Sequence, residues 1–212
     1  MVEKVMKVIT PKESPAEKAR RTAQEKKVRS QIQSFTIQQL IDSLYKFRRK
    51  GEIKKTGRTE IVDVKLSNTK TRYLIVHAQT QGTKLWQQIL HFPTVQASET
   101  PKAGYEIPIR DNHGNVYYMP KLTGATPVLV RCSCPDFRHS FMWEDFDVKS
   151  LSGRRLSYER KTTTRPKRNP DHIPGVCKHL MGVINKLVSI GVMTEVKNTV
   201  DVNMSGYLWS KK

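Results

Sequence analysis

Acidic residues are scarce in this chain. Nineteen Asp and Glu stand against 38 Lys and Arg, leaving a formal charge of +19 over 212 residues. That imbalance points to a polyanion, a membrane surface or an acidic protein as partner, and carries no information on fold. Long apolar runs are also missing. Nothing approaches the roughly 18 consecutive apolar residues of a membrane-spanning helix, so no membrane partner is expected. The opening Met1–Lys7 is charged and has no apolar run, so no secretory signal is expected. Aromatics make up only 8% of the chain, and those that could stack on bases, such as Tyr158 within its most basic stretch, are sparse, so stacking on single-stranded bases is not strongly indicated. There is no glycine-rich phosphate loop, no nucleophile–histidine arrangement of a hydrolase, no recognition-helix motif and no internal repeat. No small-molecule substrate is expected. Cysteine is scarcest of all: there are three, too few and too clustered for a disulfide framework. A reducing, intracellular (cytoplasmic) location is expected.

What is present starts with helix signals. Ser14-Pro15-Ala16-Glu17 reads as a capped helix start, opening a helix from about Ala16 to Gln33 that is rich in Lys and Arg and lacks a core face. A second helix starts at Thr36, with Gln39 completing a capping box and Phe35 and Leu40 placed as a hydrophobic staple. Ile37, Leu40, Ile41 and Leu44 recur at helical spacing. Lys46, Arg48, Arg49 and Lys50 suit a helix C-terminus ahead of Gly51, or else contact phosphates.

From about Arg58 the pattern changes to strands. Thr59–Leu66 and Arg72–Val76 flank Ser67–Lys70, and Tyr105–Ile109 and Val116–Met119 flank Asp111–Asn115; both read as hairpins. Leu85, Trp86, Ile89 and Leu90 read as a short helix. Pro127–Arg131 reads as a strand leading into Cys132. A polar, loop-like stretch then extends to Val176. A last apolar helix, carrying Leu180, Met181, Ile184, Leu187 and Val188, begins near Cys177 and stops near Gly191, with a short strand from Thr194 to Val202 after it.

All three cysteines fall in two tight pairs, Cys132-Ser133-Cys134 and Cys177-Lys178-His179. Three thiolates and one imidazole make a complete tetrahedral shell for one structural Zn2+, with no open position for catalysis. Residues two apart on a regular helix lie about 200° apart, so Cys177 is expected just before the last helix and His179 in its first turn. There the positive end of the helix dipole favours a thiolate. His139 and His172 are near enough in sequence to substitute in the shell, but are read first as surface residues or as groups behind the ligands. Asp136 either orients His179 or caps the turn.

The pattern Cys132-x-Cys134 followed by Cys177-x-His179 resembles the SWIM-type zinc finger. Cys134-Pro135-Asp136-Phe137 and Cys177-Lys178-His179-Leu180 carry the likeness over about residues 125–190. The resemblance implies a zinc-stabilised ββα module that binds nucleic acid or protein and does not catalyse. The 42 residues between Cys134 and Cys177 exceed the family's usual gap, so the stretch reads as an insertion. Cys-Pro-Asp-Phe with a distant Asn-Pro and Pro-Gly-x-Cys-Lys-His also resembles phage-encoded structural proteins.

The expected fold class is α+β: a basic helical region (1–55), a mainly antiparallel β region (56–124), and a SWIM-like zinc module (125–212) with an insertion at 138–174. The expected function is non-enzymatic. Zinc supplies fold, and Lys149, Arg154, Arg155, Arg160, Lys161, Arg165, Lys167 and Arg168 contact nucleic acid, DNA ahead of RNA, mostly through phosphates. Arg48, Arg49 and Lys50 are further candidates. The alternative is a structural or adaptor component that binds neighbouring chains in an assembly such as a virus particle. A remoter one is a metal-dependent nuclease built on Glu144, Asp145 and Asp147.

Overall fold

In this computed structural model, the described residues are 34–47, 57–67, 72–82, 84–111, 113–157 and 168–197. They belong to one unit that begins at Ser34. The helix expected over 16–33 lies outside them. Arg48, Arg49, Lys50, Arg160, Lys161, Arg165 and Lys167 do too.

Thr36 starts the first described helix through reciprocal hydrogen bonds. Its N–H donates to Gln39 Oε1 at 2.8 Å, and Gln39 N–H donates to Thr36 Oγ1 at 3.2 Å. This is the capping box read from the sequence. The helix, α1, runs Ile37–Phe47 and buries Ile37, Leu40, Ile41 and Leu44 on one face.

Strands β1 (Arg58–Leu66), β2 (Tyr73–Gln81), β3 (Leu85–Gln96) and β6 (Leu129–Cys132) form an antiparallel sheet in the order β1-β2-β3-β6. Strands β4 (Ile107–Arg110) and β5 (Val116–Met119) form a separate hairpin. Its turn is built by the Asp111 carboxylate, which accepts from the backbone N–H of His113 and Asn115. Both expected hairpins are present. The protein is thus mixed α+β with a mainly antiparallel sheet.

The expected helix at Leu85–Leu90 is instead the first half of β3. Leu90 and Phe92 face the core, and so does Gln88, while Gln87 is exposed and Ile89 and His91 are half-buried on the alternate positions. A polar residue at a buried position hid the two-residue alternation, leaving apolar residues at spacings that mimic a helix. Pro93 also interrupts the pattern. It sits beside the register shift opposite Tyr73 and Leu74, where a residue without an N–H is tolerated.

Between the two ligand pairs the structure departs from a simple loop. It places α2 (Pro135–Ser140) and α3 (Met142–Asp147) there, with Phe137, Phe141 and Met142 buried. Lys149 ends this pair of helices with a positive φ of 55°, a left-handed turn beyond the C-cap Val148.

Helix α4 (Lys178–Ser189) buries Leu180, Met181, Val183, Ile184 and Leu187 and touches all four strands of the sheet. Gly191 follows its end with φ 78°. Past it, Met193 makes an isolated bridge to Leu122, and residues 194–197 are not a strand. The rest of the strand expected there, from 198, lies outside the described residues. The core runs without a break from Ile37 to Val196 and takes in both cysteine pairs. No described helix is long and apolar enough to cross a membrane.

Candidate metal centre

Each ligand pair is delivered by the end of a regular element. Cys132 is the last residue of β6. The chain then turns through Ser133, which is tied to β3 twice: its N–H donates to Gln87 O and its Oγ accepts from Gln87 N–H, both at 2.9 Å. Cys134 caps α2, its sulfur accepting from Phe137 N–H at 3.3 Å, with Pro135 next in the first turn. Cys134 N–H points back at Cys132 Sγ across 3.5 Å. Cys177 is the N-cap residue of α4, and His179 lies in the first turn, as the spacing predicts.

The four side chains converge. Their ligand atoms all lie within 4.8 Å of one another, and all four residues are buried. Cys177 Sγ and His179 Nδ1 are 4.0 Å apart. Zinc at about 2.3 Å from sulfur and about 2.0 Å from nitrogen needs tetrahedral edges of about 3.8 Å, so shifts of roughly half an ångström would complete the shell. The donor set is therefore compatible with zinc, and these four residues could hold the ion. Among the described residues, no other group of three or more His, Cys, Asp or Glu side chains converges in this way.

The thiols compete for one negative charge. Cys134 is held far below the usual thiol range by hydrogen bonds from Cys132 and Cys177. Cys132 is pushed up to about 12, first by its bond to Cys134. Cys177 is pushed well up, first by its complete burial and then by its bonds to the other two thiols. A divalent cation would hold all three as thiolates at once, and its binding would release protons. The Trp86 ring lies 6.0 Å from the His179 ring, beside the ligand cluster.

The other sequence candidates sit elsewhere. His172 pairs with Glu144 at 3.0 Å, and His139 lies on α2; neither joins the cluster. Of the acidic trio, Asp145 is fully buried, Glu144 holds His172 and Asp147 faces solvent, so the three do not converge. Lys149, Arg154, Arg155 and Arg168 are exposed. The Arg155 guanidinium stacks on Trp143 at 4.0 Å and Phe146 at 4.9 Å.

Four residues to which sequence reasoning gave no role at the site organise the surroundings. Arg131, one position before Cys132, donates to the carbonyls of Ser152 and Arg154. Asn169 donates to Ser140 O and Ile173 O at 2.7 Å each and accepts from Ile173 N–H. Ser150 Oγ accepts from Phe35 N–H at 2.7 Å. Gln88 approaches Cys132 Sγ to 3.7 Å. Each is a polar side chain in or against the core, and no periodicity argument flags such a position. Comparison of the chain with protein-family models, curated proteins and solved structures finds no match.

Proposed function

We propose that this chain is a zinc-stabilised, SWIM-like binding protein that contacts nucleic acid through phosphates, with zinc supplying fold and not chemistry. What supports the reading is how the ligand pairs relate to the basic stretch between them. The described residues of this stretch end at Ser157, just after Arg154 and Arg155, and resume at Arg168. One root is gripped by Arg131 next to Cys132. The other is gripped by Asn169, eight residues before Cys177. A metal joining Cys132 and Cys134 to Cys177 and His179 would hold both roots in place. A polyanion is one partner class that a chain of charge +19 favours.

The test is binding of duplex DNA by zinc-loaded protein across a salt series. Affinity should fall linearly on a log–log plot with a slope of about −0.9 per phosphate neutralised. Replacing Arg154, Arg155 and Arg168 with Glu should flatten that slope by about one per lost contact. Absence of binding at low salt would overturn the nucleic-acid reading.

A second reading, a component binding neighbouring chains in an assembly, draws on exposed apolar side chains. Val62 and Leu85 are 53% and 54% exposed. Val62 is the bulged residue of β1, which pairs only with β2 among the described strands. That reading leads if DNA is not bound and sedimentation shows self-association or a captured partner chain.

A further inference from the structure

A line of buried polar groups crosses the sheet and ends on a candidate ligand. Thr59 on β1 and Thr80 on β2 are register partners, their hydroxyls 3.1 Å apart. Thr80 Oγ1 donates to Gln88 Oε1 on β3 at 3.1 Å. Gln88 is in turn the register partner of Cys132 on β6. Its Nε2 donates to Trp86 O at 2.9 Å and lies 3.7 Å from Cys132 Sγ. Thr59, Thr80, Gln88 and Cys132 are all at most 5% exposed.

The chemistry of these partners fixes the amide's orientation. The Trp86 carbonyl can only accept, so the amide nitrogen must face it, and the amide oxygen is left for the Thr80 hydroxyl. Flipping the group would set the amide oxygen against the Trp86 carbonyl and lose that bond, although the Thr80 hydroxyl could accept from the flipped amide. One N–H is used by Trp86, and the other is free to address the sulfur of Cys132. Thiolate sulfur is a far better acceptor than a thiol. Burying an amide on an otherwise apolar face is unfavourable unless its polar atoms are matched. Here every partner is satisfied once Cys132 is a thiolate.

We propose that Gln88 is a positioning residue of the metal centre: its side-chain N–H donates to the metal-bound Cys132 thiolate, and Thr80, backed by Thr59, holds the amide in that orientation. This rests on the metal reading above and adds a residue to it that lies 44 positions from its ligand in sequence. The bond would draw charge off one of three thiolates crowded around one cation, and so favour the metal-bound shell. It acts beside the Cys134 N–H on the same sulfur.

The experiment uses the full chain and Co(II) as a spectroscopic stand-in for zinc, with zinc affinity measured by competition against a chelator of known strength. Gln88→Met keeps length and shape and removes the N–H. Zinc affinity should fall about 10- to 100-fold, and the sulfur-to-cobalt charge-transfer band should move to longer wavelength as the sulfur becomes more electron-rich. Thr80→Val should shift both readouts the same way by less, and Thr80→Ser should restore them. A folded Gln88→Met protein with wild-type affinity and an unmoved band overturns the role of Gln88 and leaves the metal centre standing. Should Gln88→Met fail to fold, an unmoved band and affinity in Thr80→Val overturn it equally. A wild-type chain that takes up neither Co(II) nor zinc overturns the metal reading and this proposal together.

Discussion

Among the described residues, Asp145 is the one carboxylic acid with no solvent exposure. Its Oδ1 accepts from Gly175 N–H at 2.8 Å, and its Oδ2 has no partner. Burial pushes the carboxyl well above its usual range. The Gly175 N–H opposes that shift, and the neighbouring Glu144 adds to it. The folded state therefore keeps its proton at pH values where the unfolded chain has lost it. Stability from this group is fully present below the ordinary carboxylate range and is lost as pH rises through the elevated value. Asp145→Asn keeps an acceptor for Gly175 and cannot ionise. Denaturant titrations at a series of pH values should show wild type losing stability relative to Asp145→Asn as pH rises. Asp145→Ala should be about 1–3 kcal/mol less stable than Asp145→Asn at any pH, because the Gly175 N–H is left buried without an acceptor. Parallel pH curves for wild type and Asp145→Asn would show that the carboxyl titrates normally. The bond matters to the candidate metal centre because Gly175 stands two residues before Cys177 on the segment that delivers it.

At the scale of elements, the α2–α3 pair is a packed part of the molecule. Phe141, between the two helices, is fully buried, and a Cβ on Gly175 would come within 3.2 Å of its ring. Phe141→Ala should cost about 3–5 kcal/mol by urea denaturation. Phe146→Ala, at a position 43% exposed, should cost less than about 1 kcal/mol, chiefly through the lost Arg155 stacking. Equal costs at the two positions would mean that these helices do not share the core. This pair also shows why some elements were legible in the sequence and others were not. Helix α1 announced itself through Thr36, Gln39 and four apolar residues at helical spacing, and α4 through Cys177 and its apolar face. The hairpin β4–β5 was marked by its turn residues. In α1 and α4 nearly all buried positions are apolar, so periodicity and burial agree there, and β4–β5 was read from its turn although Val116 is exposed. Strand β3 broke that agreement with Gln88. The α2–α3 pair broke it with Ser140 and Asp145, both buried. The four candidate ligands were legible because their chemistry lies in residue type and spacing. The residues that support them were not, because their partners come from β1, β2 and the chain beyond Arg168, and no local pattern carries a long-range hydrogen bond.

Across the molecule as a whole, the candidate ligands do not stand apart from the rest of the fold. Cys132 ends a strand of the main sheet, and Cys177 begins the helix that touches all four of its strands. The buried residues of α1, the sheet and α4 form one cluster, from Ile37 to Val196. A metal at this position would close the 42 residues between the pairs and secure α4 against the sheet in one step. Its binding free energy would then count directly toward folding. Reading a separate zinc module at 125–212 from the sequence leads to the expectation that chelation unfolds the C-terminal half. The shared core implies something broader: α1 and the β1–β2 hairpin should lose their packing together with α4. Thermal unfolding should be followed by far-UV ellipticity and by tryptophan fluorescence, to which Trp86 beside His179 contributes together with Trp143 and Trp209. With a strong chelator present, both signals should shift to lower temperature and change in a single coincident transition. If fluorescence changes first while most of the ellipticity survives to the original midpoint, the metal secures only its own neighbourhood. If protein shown to be free of zinc melts as before, the four residues do not form a structural metal centre. The core then stands on packing alone, with three reduced thiols and an imidazole as ordinary buried groups.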